Sequence, residues 1–205
     1  MFDPVLFLLA SILLTLAPGP DIIQVLTRSI TQGRRAGIAA TLGFASGVFF
    51  HTILAVLGIA VLIRSSPLAF GIVKYAGAAY LAYIGLRSLT NRGGFALQKD
   101  KEITTLSLIY KQSVIGNVLN PKVTLFFLSF LPQFVDSHAA HVEVQMLVLG
   151  AIFMLQTILV FGLIALLSGW IGDRLKTQPR ILNRLNFFAG CVFIGLGLHI
   201  VWSKS

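Results

Sequence analysis

The sequence predicts an all-α polytopic membrane protein with six transmembrane helices arranged as two inverted halves of three. The first observation is composition: the 205-residue chain is 56% hydrophobic and 11% charged, with a mean hydropathy of +0.87, whereas soluble domains carry about 25% charged residues. The second is length, because six apolar segments reach the about 20 residues that cross a bilayer. The third is a pair of proline interruptions at corresponding points of the two halves.

The six spans follow one another through short connections. The first begins at Pro4 without the positive charge and cleavage site of a signal peptide, so we expect it to be retained. The second and third are separated by a tight turn at 64–67. A polar linker at 93–105 divides a single transporter domain into a first repeat at 1–92 and a second repeat at 106–205. The predicted spans are 4–26, 38–63, 67–89, 107–134, 144–169 and 182–202.

Lysine and arginine concentrate in or beside the loops that follow spans 1, 3 and 5. These regions hold twelve of the sixteen basic residues, and short loops rich in lysine and arginine face the cytoplasm. We therefore expect both termini on the opposite side, which is the periplasm if the membrane is a bacterial inner membrane. The twelve residues are Arg28, Arg34, Arg35, Arg87, Arg92, Lys99, Lys101, Lys111, Arg174, Lys176, Arg180 and Arg184.

The third and sixth spans resemble each other. An Ala-Gly pair, an aromatic residue and a Gly-Leu pair recur in this order at 76–86 and at 189–198. Spans 1 and 4 match through their proline breaks. Since each half has three spans, the second half enters the membrane upside-down relative to the first. Inverted repeats of this kind underlie many alternating-access transporters.

Proline interrupts spans 1 and 4 next to a charged residue. Span 1 contains Pro-Gly-Pro-Asp at 18–21, and span 4 contains Asn-Pro-Lys at 120–122. Proline inside a helix removes a backbone hydrogen bond, and a charge at membrane depth costs about 2.5 kcal/mol or more. Paired interrupted helices indicate the binding site of a secondary transporter. The residues predicted to break the helices are Pro18, Gly19, Pro20 and Pro121.

The two charges beside the breaks are the first candidate site residues. Asp21 is a candidate for binding a substrate ammonium or the coupling proton; alternatively it caps a helix that starts after the break. Lys122 is placed nearer the middle of the membrane. It could pair with Asp21, bind a substrate carboxylate, or act only as a structural counter-ion or a snorkelling lysine.

Four further polar residues lie within the spans. Asn117 and Asn120 either contact substrate or satisfy backbone groups freed by the proline. His51 ends a face of span 2 that also carries Gly43 and Gly47, a spacing typical of close helix packing. It either relays protons or donates a structural hydrogen bond, and Gln156 occupies the comparable position in the second repeat.

Several classes of function do not fit the sequence. The single Cys191 excludes an internal disulfide or dithiol pair, and no phosphate-binding Gly-Lys-Ser/Thr motif is present. We predict no catalytic residue, enzyme activity, cofactor, metal site or nucleic-acid partner. The glycine faces of spans 2 and 6 could serve internal packing or a homodimer.

Four motifs resemble the LysE/RhtB family of amino-acid exporters, and the resemblance covers nearly the whole chain. They are Pro-Gly-Pro-Asp at 18–21, Gly-Arg-Arg-Ala-Gly at 33–37, the Ala-Gly-rich run at 76–85, and Asn-Val-Leu-Asn-Pro-Lys at 117–122. The resemblance implies efflux of threonine, homoserine, leucine or lysine, or of homoserine lactone. It also implies proton-gradient drive, so the expected partners are a small amino acid, protons and the lipid bilayer.

Two other classes of function compete with an amino-acid exporter. In the first, the breaks are structural kinks and the chain is a membrane scaffold or assembly subunit whose basic loops dock a partner. In the second, the same fold exports a cation such as a metal. That alternative predicts clustered acids or thiols within the spans, where Asp21 is the only acid.

Overall fold

A computed structural model describes residues 2–59, 67–90, 103–136, 139–177 and 180–202, and its regular elements are all helical. Residues 93–102 of the predicted linker at 93–105, and most of the turn between spans 2 and 3, lie outside the described residues. The helices are α1 Pro4–Leu16, α2 Pro20–Gln32, α3 Arg34–Leu54, α4 Pro67–Thr90, α5 Leu106–Val118, α6 Pro121–Leu125, α7 Val142–Leu166, α8 Ser168–Thr177 and α9 Arg180–Trp202.

Both predicted proline breaks are present. The α1–α2 pair bends by 59° and the α5–α6 pair, with its short continuation to Phe134, bends by 46°. At the first break Ala17 and Gly19 are extended, and Pro20 opens α2. At the second, the Asn120 side chain accepts from the Lys122 backbone N–H and Pro121 opens α6. Proline suits these positions because the first N–H groups of a helix lack an intrahelical partner.

Two helices continue into irregular turns. A π-helical segment at Ala55–Ile59 follows α3, and another at Phe126–Phe130 follows α6, which then ends in a 3-10 turn at Leu131–Phe134. The two π-helical segments contact each other. The α5–α6 span therefore changes helical geometry twice beyond its break.

Three helices in the described ranges are long and apolar enough to cross a membrane, and counting each bent pair as one span raises the number to five. The three are Arg34–Gly58, Val142–Leu166 and Asn183–Trp202. Helix α4 fills the predicted third span by length but is not among them. An all-helical membrane architecture is thus established, whereas the count of six and the inverted repeat are not.

Close helix packing is achieved by glycine, as the sequence predicts for spans 2 and 6. On α3, a Cβ at Gly47 would lie 2.6 Å from Asn117 Cβ of α5, and Gly43 abuts the Tyr110 backbone of the same helix. On α9, a Cβ at Gly190 would lie 2.8 Å from the Gly85 carbonyl oxygen of α4. These glycines are therefore used inside the fold; a homodimer remains a prediction.

Buried aromatic rings form two groups. The larger one contains Phe7 of α1, Phe126 at the start of the π-helical segment that follows α6, and Phe153 of α7. The ring centres of Phe126 and Phe153 are 5.5 Å apart. The smaller one pairs Phe44 of α3 with Phe161 of α7 at 5.8 Å. Phe153 belongs to the larger group and Phe161 to the smaller one. Both line the cavity at the helix breaks that is described below.

We expect Gly190→Ala to destabilise the protein, because a backbone carbonyl on α4 cannot move aside for the added Cβ. Overpacking of this kind costs about 1–3 kcal/mol. The matched control is Gly195→Ala on the same helix, where nothing lies within 4 Å of the added atom. Melting temperatures in detergent should fall for the first variant and stay constant or rise for the second; equal behaviour would contradict this account of α4–α9 packing.

Candidate functional site

The two helix breaks meet each other inside the protein. Asn120, at the start of α6, donates a hydrogen bond from Nδ2 to Asp21 Oδ1 of α2 at 2.8 Å, although the residues are 99 positions apart. Asp21 is only 4% exposed, and Asn120 is also buried. The same Asn120 side chain caps α6 through Oδ1. Asn120 therefore fixes both the second break and the carboxylate of the first.

Lys122 extends across the end of α1. Its ammonium donates to the carbonyl oxygens of Leu14 and Ala17 at 3.2 and 3.3 Å. The carbonyls at a helix C-terminus lack intrahelical partners and carry partial negative charge. The lysine therefore compensates the end of α1, and it also attracts the Asp21 carboxylate electrostatically. Of the predicted alternatives, its hydrogen bonds match the structural one most directly.

His51 and Gln156 each contact the broken span in the other half of the chain. His51 of α3 donates from Nε2 to the Asn117 carbonyl oxygen near the end of α5, at 3.0 Å. Gln156 of α7 donates from Nε2 to Thr15 Oγ1 near the end of α1, at 2.9 Å. Both side chains thus hold the first half of an interrupted helix just before its break.

A small polar cavity lies between the breaks. It is closed by α1, α2, α5, α6 and α7, and combines one carboxylate and one ammonium with apolar and aromatic walls. Two buried acceptors nearby have no hydrogen-bond partner among the described residues: Asn117 Oδ1, which faces Gly47 of α3, and Gln156 Oε1. The lining residues are Leu14, Thr15, Asp21, Asn117, Lys122, Val123, Phe153, Thr157 and Phe161.

A polar stripe on α2 leads away from this cavity. We call the residues at 21, 24, 28 and 32 the α2 stripe, because their spacing of three or four places them on one helix face. Gln24 donates to Ser113 Oγ of α5 at 3.0 Å, and Arg28 donates to Gln112 Oε1 at 3.2 Å. Helices α2 and α5 both pack closely on α3 and meet each other mainly through these side chains.

The charged groups at the cavity suit a small zwitterion, but its volume of about 10 Å³ holds no more than one water molecule, so the cavity must widen to admit an amino acid. Asp21 lines the cavity and can accept hydrogen bonds from an ammonium group, which has three donors. Lys122 uses two of its own donors on α1, which leaves one N–H for a carboxylate. Within the described ranges, no three of the His, Cys, Asp and Glu side chains are grouped to hold a metal ion.

The predicted site residues fall into two positions. Asp21, Asn117 and Lys122 line the cavity, with Asn120 beside them, while His51 and Gln156 hold the helix ends. The sequence analysis missed the threonines at 15 and 157 and the phenylalanines at 153 and 161. It also missed the α2 stripe, although polar residues spaced by three or four at 21, 24, 28 and 32 would have indicated one helix face.

We expect Asn120→Ala to lower stability by about 2–4 kcal/mol, because it removes a helix cap and a hydrogen bond to a buried carboxylate. Asn120→Ser retains a side-chain oxygen that can cap α6 but lacks the amide N–H that binds Asp21. It should therefore lose less stability than the alanine variant. Denaturation in detergent should rank the proteins as wild type, serine variant, alanine variant. Equal stability of the two variants would show that the cap contributes nothing, and a serine variant as stable as the wild type would show that the contact with Asp21 contributes nothing.

Comparison with known proteins agrees with this architecture. The chain is 29% identical to a leucine efflux protein of Salmonella typhimurium and 30% identical to one of Klebsiella pneumoniae, in each case over 97% of this chain and 94% of the relative. It is also 30% identical to an uncharacterized membrane protein of Vibrio cholerae, over 97% and 96% of the two chains.

No solved structure matches the chain significantly. The family model described as LysE type translocator matches residues 12–204, which include both helix breaks and every residue that lines the cavity. Because this match extends over nearly the whole sequence, the chain belongs to the LysE family of translocators.

Proposed function

We propose that this protein exports an apolar amino acid of the leucine class across the bacterial inner membrane, in exchange for protons. The observation that carries the proposal is the cavity between the two helix breaks, which is lined by both the Asp21 carboxylate and the Lys122 ammonium. An amino-acid ammonium would bind Asp21, and its carboxylate would face Lys122. The leucine efflux relatives support the same substrate class.

The walls of the cavity favour an apolar side chain. Val123, Phe153 and Phe161 contribute apolar surface to its lining. A lysine substrate would add a second ammonium, and Asp21 is the only acidic residue among those that line the cavity. We therefore place leucine ahead of threonine, homoserine and homoserine lactone, and lysine last.

Reciprocal contacts support an inverted repeat of three and three spans. Helix α3 packs on α5, and its repeat equivalent α7 packs on α1. His51 and Gln156 complete these two interfaces in the same manner. The Gly85–Gly190 contact between α4 and α9 has a counterpart in Gly197, where a Cβ would lie 2.9 Å from the Ala78 carbonyl oxygen.

The α2 stripe would line the cytoplasmic path to the cavity. It ends at Gln32, directly before the basic residues at 34 and 35 that orient this loop towards the cytoplasm. We call the line of contact between α2 and α5 the α2–α5 seam. The hydrogen bonds of Gln24 and Arg28 across this seam would close the path in this conformation. Rocking of the two repeats would open each side in turn, and proton binding at Asp21 would release the substrate.

We expect Asp21→Asn to reduce gradient-driven leucine flux by about tenfold or more, because the amide cannot provide the charge-assisted hydrogen bond to an ammonium. The assay is proteoliposome transport under an imposed pH gradient. Asp136→Asn, which alters an acid that does not line the cavity, is the control. Full coupled transport by the Asp21 variant would remove this residue from the mechanism.

A cross-link between Gln24→Cys and Ser113→Cys should block transport, because it bridges the α2–α5 seam. The background is Cys191→Ser, which removes the chain's single cysteine. A short thiol-specific cross-linker should abolish flux and reduction should restore it. The control pair Asp136→Cys and Gln145→Cys lies within the second half of the chain, where a 2.8 Å hydrogen bond already joins the two residues, and should leave flux intact. Inhibition by both pairs would argue against a path along this seam.

A substrate panel separates amino-acid export from the two other classes of function. Leucine, threonine, homoserine, homoserine lactone and lysine are tested for counterflow, and divalent cations for efflux, in the same proteoliposomes. Leucine counterflow supports the proposal. Flux of a cation alone would support the cation exporter, and no flux by folded protein would support the scaffold.

A further inference from the structure

The end of α1 binds a cation that belongs to the protein itself. Two carbonyl oxygens, those of Leu14 and Ala17, accept hydrogen bonds from the Lys122 ammonium, and the Asp21 carboxylate is close enough to attract it. Backbone carbonyls with a nearby carboxylate are a usual environment for monovalent cations at broken membrane helices. In this chain that position is filled by a covalently attached ammonium.

The surrounding structure is shaped to hold this ammonium. A Cβ on Gly19 would lie 3.1 Å from Lys122 Nζ, so the absence of a side chain there leaves room for the cation. The lysine backbone is fixed by its hydrogen bond to Asn120 Oδ1. Its side chain is 7% exposed and therefore reaches α1 through the protein interior.

We propose that Lys122 is a tethered ligand in a monovalent-cation site made by the Leu14 and Ala17 carbonyls at the end of α1, to which Asp21 contributes electrostatic attraction but no direct contact. Cutting the side chain back to Cβ removes three methylene groups and the ammonium, whose free equivalent is propylammonium. The shortened variant should therefore bind small alkylammonium ions at this site, whereas the native chain has no vacancy there. This inference rests on the geometry of the break and does not require that the protein transports leucine.

Loss of the ammonium has a definite physical consequence. The carbonyls of α1 would lose their hydrogen bonds, and Asp21 would remain buried without its opposite charge. Removing one partner from a buried group of charges is far more destabilising than removing both. A free cation that enters the vacated space should reverse part of this loss, because ligands that bind only the folded state stabilise it by mass action.

The experiment measures the melting temperature of detergent-solubilised Lys122→Ala with increasing propylammonium chloride. We expect the variant to melt below the wild type, with a saturable rise of several degrees as the amine is added. Propanol, which has a similar shape but no charge, should have no comparable effect. The wild type should not respond to either compound, because its site is already filled.

Lys122→Met is the matched control, because it fills the space without restoring the charge. It should be destabilised but should not respond to propylammonium. If the alanine variant aggregates, the yield of monodisperse protein solubilised with and without the amine is the readout. An alanine variant that gains nothing from propylammonium, or gains equally with propanol, would overturn the proposal; so would an equal gain by the methionine variant.

Discussion

The hydrogen bond from Asn120 to Asp21 is the contact on which the rest of the site depends. Each proline break leaves polar groups that a bilayer cannot hydrate. Residues at the second break supply hydrogen bonds to the polar groups of the first. Asn120 serves Asp21 of the first break, and Lys122 serves the open carbonyls of α1. Two interruptions that would each be costly alone are thus tolerated as a pair.

The packing around this pair is unequal on its two sides. Towards the end of the α5–α6 span, a cluster of phenylalanines around Phe126 makes a thick apolar layer. Towards the α2 stripe, the closure consists of a smaller apolar cluster, which contains the aromatic pair Phe44 and Phe161, together with side-chain hydrogen bonds. Apolar rings packed on several helices resist opening more than polar side chains that can exchange their partners with water.

Local chemistry made part of this structure predictable. Proline dictates where a helix is interrupted, so the breaks at 18–20 and at 121 could be read directly. Glycine at a spacing of four identified the face of α3 that packs closely. Family motifs identified the class of protein before any contact was known.

The partners of the polar groups could not be read in the same way. Nothing in the sequence says that Lys122 reaches Leu14 and Ala17, because those acceptors are backbone atoms and every residue has one. The bond between Gln156 and Thr15 joins residues 141 positions apart, and its existence depends on how α1 and α7 pack. The spacing of the α2 stripe could be seen in the sequence, but the helix that it contacts could not.

The reciprocal contacts of His51 and Gln156 have a consequence for biogenesis. Helices enter the membrane in the order of synthesis, so α1 and α2 are inserted long before the residues that complete them. Thr15 cannot receive its hydrogen bond from Gln156, nor the carbonyls of α1 theirs from Lys122, until those later residues have been synthesised. The first half of the chain must therefore persist as an immature intermediate, with the polar groups of its break unsealed, until α6 and α7 have been translated.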